Sequence, residues 1–116
     1  MLLRGDPKAG QTPGSDLAPV FFALGDKTRL RLIAVLCAGG AFSIAQLTGN
    51  TQITRQAVTK HLRVLADAGL VRDLKIGRER LWQFDPAQLD AARRSLDVLG
   101  RQWEQALGRL KASLEG

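Results

Sequence analysis

Residues Ile53 to Val71, ITRQAVTKHLRVLADAGLV, constrain this chain more than any other stretch. Val58, Leu62 and Leu65 recur at i, i+4 and i+7, the spacing of an apolar stripe that a helix turns toward a core. Arg55, Gln56, Thr59, Lys60 and Arg63 fall on the other side, again at helical spacing. Thr54 is placed to cap the helix start, and Gly69 stands where a left-handed residue closes a helix. An ordinary surface helix would carry the same stripe. The outward set says more, because it can both donate to and accept from base edges. Arg and Gln make bidentate contacts to guanine and adenine in a major groove.

Two short β-prone runs follow, Leu70 to Ile76 and Arg80 to Phe84, separated by a basic turn at Gly77, Arg78 and Glu79. Apolar and charged residues alternate roughly by twos in the first run, and Leu81, Trp82 and Phe84 supply apolar surface in the second. Gly77 provides the backbone freedom of the turn. A two-stranded ribbon directly behind a basic helix reads as a wing, whose tip would carry Lys75, Arg78 and Arg80 toward a phosphate backbone.

Upstream, Met1 to about Ser15 holds Gly5, Pro7, Gly10, Pro13 and Gly14 with little apolar content, and is expected to be a disordered lead-in. A first helix is expected from near Asp16 to Gly25, with Leu17, Val20, Phe21 and Leu24 turned inward. Asp26 caps a second helix to about Ala38, with Leu30, Ile33, Leu36 and Cys37 as core candidates, and Gly39 and Gly40 break it. Ser43 starts a short third helix to about Thr48, and Gly49 to Ile53 form the reversal before the basic helix.

Asp85 and Pro86 mark the start of a last helix, an N-cap followed by proline at the first helical position. It would run from residue 86 to 115, about 45 Å at 1.5 Å per residue. Leu89, Leu96, Trp103 and Leu110 recur every seven residues, as do Ala92, Leu99, Ala106 and Ser113, with Leu107 and Leu114 beside them. A sustained seven-residue apolar repeat asks for a second helix alongside. Folding back over its own domain is the alternative, but a chain of 116 residues has little core to cover such a length. Leu89, Leu96, Leu99, Trp103, Leu107 and Leu110 are therefore the expected seam of a homodimer.

The four segments DKTRLRLIAVL (Asp26 to Leu36), SIAQLT (Ser43 to Thr48), TRQAVTKHLRVLADAGLV (Thr54 to Val71) and GRERLWQF (Gly77 to Phe84) stand in this order. Together they resemble the ArsR-type winged helix-turn-helix transcription regulators over roughly residues 17 to 115. The resemblance implies a mainly α fold with a small β-hairpin wing and a long C-terminal dimerisation helix, all within residues 16–116. It also implies a homodimer that binds double-stranded DNA at an inverted-repeat operator, usually as a repressor. The ending WEQALGRLKASLE (Trp103 to Glu115) resembles the branch of the family without metal sites, often autoregulators.

Composition supports a nucleic-acid partner. The formal net charge is +6, which suits a polyanion. From Lys27 to Ala66 the chain carries Lys27, Arg29, Arg31, Arg55, Lys60 and Arg63 and no Asp or Glu. A merely solvated face would mix both signs. Arg55, Gln56, Thr59 and Lys60 are accordingly assigned to base reading, and Thr54, His61, Arg63, Lys75, Arg78 and Arg80 to phosphates, with packing the alternative role for His61. A winged-helix adaptor binding an acidic protein partner is the competing reading, but it has no use for this hydrogen-bonding variety.

Metal chemistry is not expected. The chain has one His and one Cys, too few for a zinc shell in a single protomer. The family's cysteine site would fall at Ile44, Ala45 and Gln46, and the last helix has neither His nor Cys. Cys37 has no second thiol to resolve it and reads as a buried structural residue. No G-x-S-x-G, phosphate-cradling glycine loop or H-E-x-x-H occurs, so catalysis is not expected and no cofactor is called for. No apolar run approaches the roughly 18 residues of a membrane span, and without a secretory leader the chain reads as cytoplasmic. No effector is identifiable from these residues.

Overall fold

The computed structural model describes residues 15–49 and 51–116. The expected disordered lead-in therefore lies outside the described residues, apart from Ser15. A 3-10 turn, Ser15–Leu17, leads into α1 (Ala18–Leu24), with Pro19 tolerated in its first turn. Helix α2 (Lys27–Cys37) starts at Asp26, whose Oδ2 accepts from the amides of Thr28 at 2.9 Å and Arg29 at 3.0 Å. A short strand β1 (Ala41–Phe42) precedes α3 (Ile44–Gly49). Ser43 Oγ accepts from the Gln46 amide at 3.1 Å, and Gln46 Oε1 accepts from the Ser43 amide at 2.8 Å. This is a reciprocal capping box, and its S-x-x-Q signature is visible in the sequence. The reversal into α4 (Arg55–Asp67) places its left-handed residue at Gln52, φ 56°.

The core forms on one stripe of α4. Val58, Leu62 and Leu65 are wholly buried, packed with Leu32, Leu36, Leu47 and Leu70. In α2 the buried stripe is Leu32, Ile33 and Leu36. This corrects two expected core positions, since Leu30 and Cys37 are exposed. They stand seven residues apart on the flank of that stripe, where no neighbouring element covers them.

The wing differs from the expected two-stranded ribbon in two respects. Strands β2 (Val71–Ile76) and β3 (Glu79–Phe84) pair antiparallel, with Ile76 opposite Glu79, so the loop is only Gly77–Arg78 and Glu79 belongs to the strand. Gly77 has φ 64° and Arg78 has a negative φ, the signature of a II′ turn, which matches strand twist. A third strand is also present. β1 pairs with β3 through Ala41 opposite Gln83 and Phe42 opposite Trp82, giving the order β1-β3-β2. Two residues are too few to show a period, and their partners lie some forty positions away, so no local pattern announced this strand.

Asp85 Oδ1 accepts from the Ala87 amide at 3.1 Å and opens α5 (Pro86–Glu115), a single helix of 30 residues. Its first turns pack on the same domain: Ala92 is buried, and Leu89 is half-buried against the core. From Leu96 onward the apolar stripe is bare. Leu96 is 54% exposed, Trp103 64% and Leu110 56%.

The turn that ends α4 approaches the start of α5 at Gly69. Gly69, φ 79°, closes α4 with the paired bonds of a Schellman motif, Gly69 N to Ala66 O and Leu70 N to Leu65 O, both 2.9 Å. A Cβ at this position would stand 2.8 Å from Gln88 Cγ of α5. Gly69→Ala is therefore expected to cost about 1–3 kcal/mol through its left-handed backbone, plus the clash. Urea unfolding measures the loss. Adding Gln88→Ala should relieve only the clash, so full recovery in the double variant would show that the backbone is not the constraint.

Candidate nucleic-acid interface

Helix α4 presents Arg55, Gln56, Lys60 and Arg63 to solvent because its buried stripe leaves them no other direction. Their side chains have no hydrogen-bond or ion-pair partner among the described residues. Thr54 caps the helix, its Oγ accepting from the Ala57 amide at 3.1 Å, and its own hydroxyl proton stays available to an outside acceptor. Thr59 is half-buried and donates to the Arg55 carbonyl at 2.8 Å, which leaves its oxygen as an acceptor and its methyl as an apolar contact.

The wing places its cations unevenly. Lys75 and Arg78 are exposed and unpaired among the described residues, with Arg78 in the turn itself. Arg80 lies 3.2 Å from Asp73 across the hairpin, so an anion must compete for it. Arg72, not singled out from the sequence, contacts Gln83 at 3.4 Å and Asp85 at 3.8 Å at the base of the wing.

His61 is not brought into the outward set. Its side chain is 24% exposed, and Nδ1 lies 3.3 Å from Arg29 Nη1 and 3.9 Å from Asp26 Oδ2. That inward geometry suits the packing role expected of it as the alternative to a phosphate contact. Sequence periodicity carried part of this signal, because His61 stands three residues after Val58 and four before Leu65, at the edge of the buried stripe. Cys37 stands at the end of α2, its thiol held above its ordinary range by partial desolvation. Among the described residues no three His, Cys, Asp or Glu side chains lie close enough to hold a metal ion, and no helix is long and apolar enough to cross a membrane.

This arrangement, a capped helix with a bare polar face followed by a basic hairpin, recurs in known proteins. Residues 24–73 match a helix-turn-helix domain family. The chain is 41% identical over 85 residues to an HTH-type transcriptional regulator of Mycobacterium tuberculosis, covering 73% of this chain and 76% of that one. It superposes on an ArsR-like transcriptional regulator from Rhodococcus sp. RHA1 with TM-score 0.81 and 35% identity, over 88% of this chain and 93% of that one. A possible transcriptional regulator for arsenical resistance gives TM-score 0.62 at 35% identity, over 79% and 92% of the two chains.

The chain belongs to the ArsR family. It is a DNA-binding transcriptional regulator with a winged helix-turn-helix fold, and the relatives it matches are regulators rather than enzymes. Within this ArsR-family domain α3 and α4 form the helix-turn-helix, and β2 and β3 the wing.

The corner that joins α1 to α2 has its own pH response. The hydrogen bond from the Arg29 amide, with help from the nearby Arg29 and His61 side chains and the Thr28 amide, holds the Asp26 carboxyl below its ordinary value of 3.8 in spite of the desolvation that opposes it. A carboxyl that titrates lower in the folded state stabilises the fold fully above its unfolded value, and that contribution is lost as pH falls through the lower folded value. Asp26→Asn should flatten this part of the acid limb in thermal melts. Identical acid profiles for the two proteins would show that the cap carries no such linkage.

Proposed function

We propose that this chain is a dimeric repressor or autoregulator that binds an inverted-repeat operator without a metal cofactor. The observation that carries the reading is the face of α4. Arg55, Gln56, Thr59 and Lys60 supply donors, acceptors and a methyl on one capped helix whose opposite side is wholly buried. Thr54, Arg63, Lys75 and Arg78 hold the phosphates, with Arg80 joining when an anion displaces Asp73. Metal independence rests on the donor set, one His and one Cys. That His is turned toward Arg29, and that Cys stands at the far end of α2. The relative named for arsenical resistance shares the fold, but this chain has no thiol cluster with which to bind an arsenical.

Division of labour between helix and wing has a distinct signature. Gln56→Ala should relax preference at one or two operator positions by about 1–3 kcal/mol of discrimination. Arg78→Ala should weaken all sequences alike and lower the salt slope by about one. Binding to a randomised duplex pool at several salt concentrations measures both. A sequence preference altered by Arg78→Ala with an unchanged slope would overturn the assignment.

Dimerisation rests on the bare stripe of α5. Two copies of α4 must reach successive major grooves about 34 Å apart, and a long paired helix sets such a distance. Leu96, Leu99, Trp103, Leu107 and Leu110 form the proposed seam. Leu89, at one end of the repeat, is already half-buried in its own domain. Since Trp103 is 64% exposed in the isolated protomer, Trp103→Ala should leave the fold intact. Truncation of a Trp that pairing has buried costs about 3–5 kcal/mol, enough to yield monomers and abolish tight operator binding. Sedimentation with gel-shift decides it, and a variant that stays dimeric and binds normally would sink the proposed architecture.

A further inference from the structure

By charge alone Arg29 belongs with the DNA-facing cations, since it lies in the acid-free stretch. Its guanidinium is engaged elsewhere. Nε donates to the Ala23 carbonyl at 2.6 Å and Nη2 to the Phe22 carbonyl at 3.2 Å, both in the last turn of α1. The Phe22 carbonyl also accepts from the Gly25 amide at 3.1 Å, and a cation at a helix C-terminus is favoured by the helix dipole. The Phe22 ring lies 5.4 Å from the guanidinium carbon. The remaining nitrogen, Nη1, reaches His61 Nδ1 of α4 at 3.3 Å.

A guanidinium only donates, so this contact requires Nδ1 to accept and the imidazole to carry its proton on Nε2, whereas a proton on Nδ1 would face Asp26 Oδ2 at 3.9 Å. The plane of Arg29 thus ties the end of α1 to the middle of the reading helix. His61 leaves α4 in the same turn as Thr59, Lys60 and Arg63. Apolar packing of Val58, Leu62 and Leu65 holds the helix down, but it is not directional and tolerates some roll about the axis. Three fork-shaped hydrogen bonds are directional, and base readout tolerates only about 10–20° of error.

We propose that Arg29 and His61 are positioning residues, a polar strut that sets the roll of α4 relative to α1 and so selects which side chains face the bases. The inference rests on the reading of α4 as the DNA-reading helix, and it takes His61 out of the phosphate-contacting set.

The experiment uses the full chain, the duplex that the wild type selects from a randomised pool, and a scrambled duplex of equal length. Arg29→Lys keeps the charge but cannot reach three partners. It should lower discrimination between the two duplexes on the order of tenfold, with affinity and salt slope on the scrambled duplex unchanged. His61→Leu should do the same, and the double variant should lose no more than either single one, as expected of two halves of one contact. His61→Gln, which keeps an acceptor, should recover most of the discrimination. Thermal melts run alongside, because a merely structural role would lower the melting temperature and spare discrimination.

With a single histidine in the chain, nitrogen NMR of the wild type reads the tautomer directly at about pH 8, even if Arg29→Lys fails to fold. A proton on Nδ1, additive losses, or a reduced salt slope on the scrambled duplex would overturn the strut. Should the wild type select no duplex at all, the reading of α4 fails instead. In that case the tautomer, with the coupling of the two variants in thermal stability, decides the strut.

Discussion

Withdrawal of Val58, Leu62 and Leu65 from water is the constraint on which the rest of this structure depends. Each is wholly buried, and burying an aliphatic side chain of this size contributes about 1.5–3 kcal/mol. Rotating α4 by even half a turn would exchange these side chains for Arg55, Lys60 and Arg63, and charges buried without partners are far costlier than the apolar surface exposed. The same stripe therefore anchors the helix and dictates its outward face. The neighbours of this core, Leu32, Leu36 and Leu47 from α2 and α3, are held in place by the caps at Asp26 and Ser43.

Charge acts at two levels in this molecule. The acid-free stretch from Lys27 to Ala66 creates a positive field over the helix-turn-helix, a long-range property that needs no specific geometry. Individual cations then divide according to what lies beside them. Arg29 satisfies carbonyls at the end of α1, Arg72 and Arg80 meet carboxylates around the wing, and Lys75 and Arg78 are left to the solvent. A count of basic residues cannot make this division, because an arginine engaged in the fold and one presented to a ligand look alike in sequence. Exposed pairs such as Arg80 with Asp73 contribute little to stability, roughly 0–1 kcal/mol, so a phosphate can displace them cheaply.

Helix α5 presents the opposite problem. Its first turns are covered by their own domain through Leu89 and Ala92, while Leu96 through Leu114 lie bare. A soluble chain seldom leaves so long an apolar stripe in water without an interface to place it in. The turn that closes α4 lies against the start of α5, where Gln88 approaches Gly69.

Much of this was legible in the sequence because the signals are local. Helical periodicity, the caps at Asp26, Ser43, Thr54 and Asp85, the Gly69 stop and the glycine of the wing turn each depend on a few adjacent residues, and all stand where the pattern placed them. Strand β1, the exposure of Leu30 and Cys37 and the pairing of Arg80 with Asp73 were not legible. Each depends on a partner distant in the chain, or on which flank of a helix a neighbour happens to cover. The sequence by itself determined the order of elements, the buried stripe of α4 and the unpaired heptads of α5, since hydrophobic spacing and backbone chemistry are properties of short segments. Only the tertiary structure decided which cations remain free and which are bound into the fold, because that choice is made by side chains meeting across elements rather than along one.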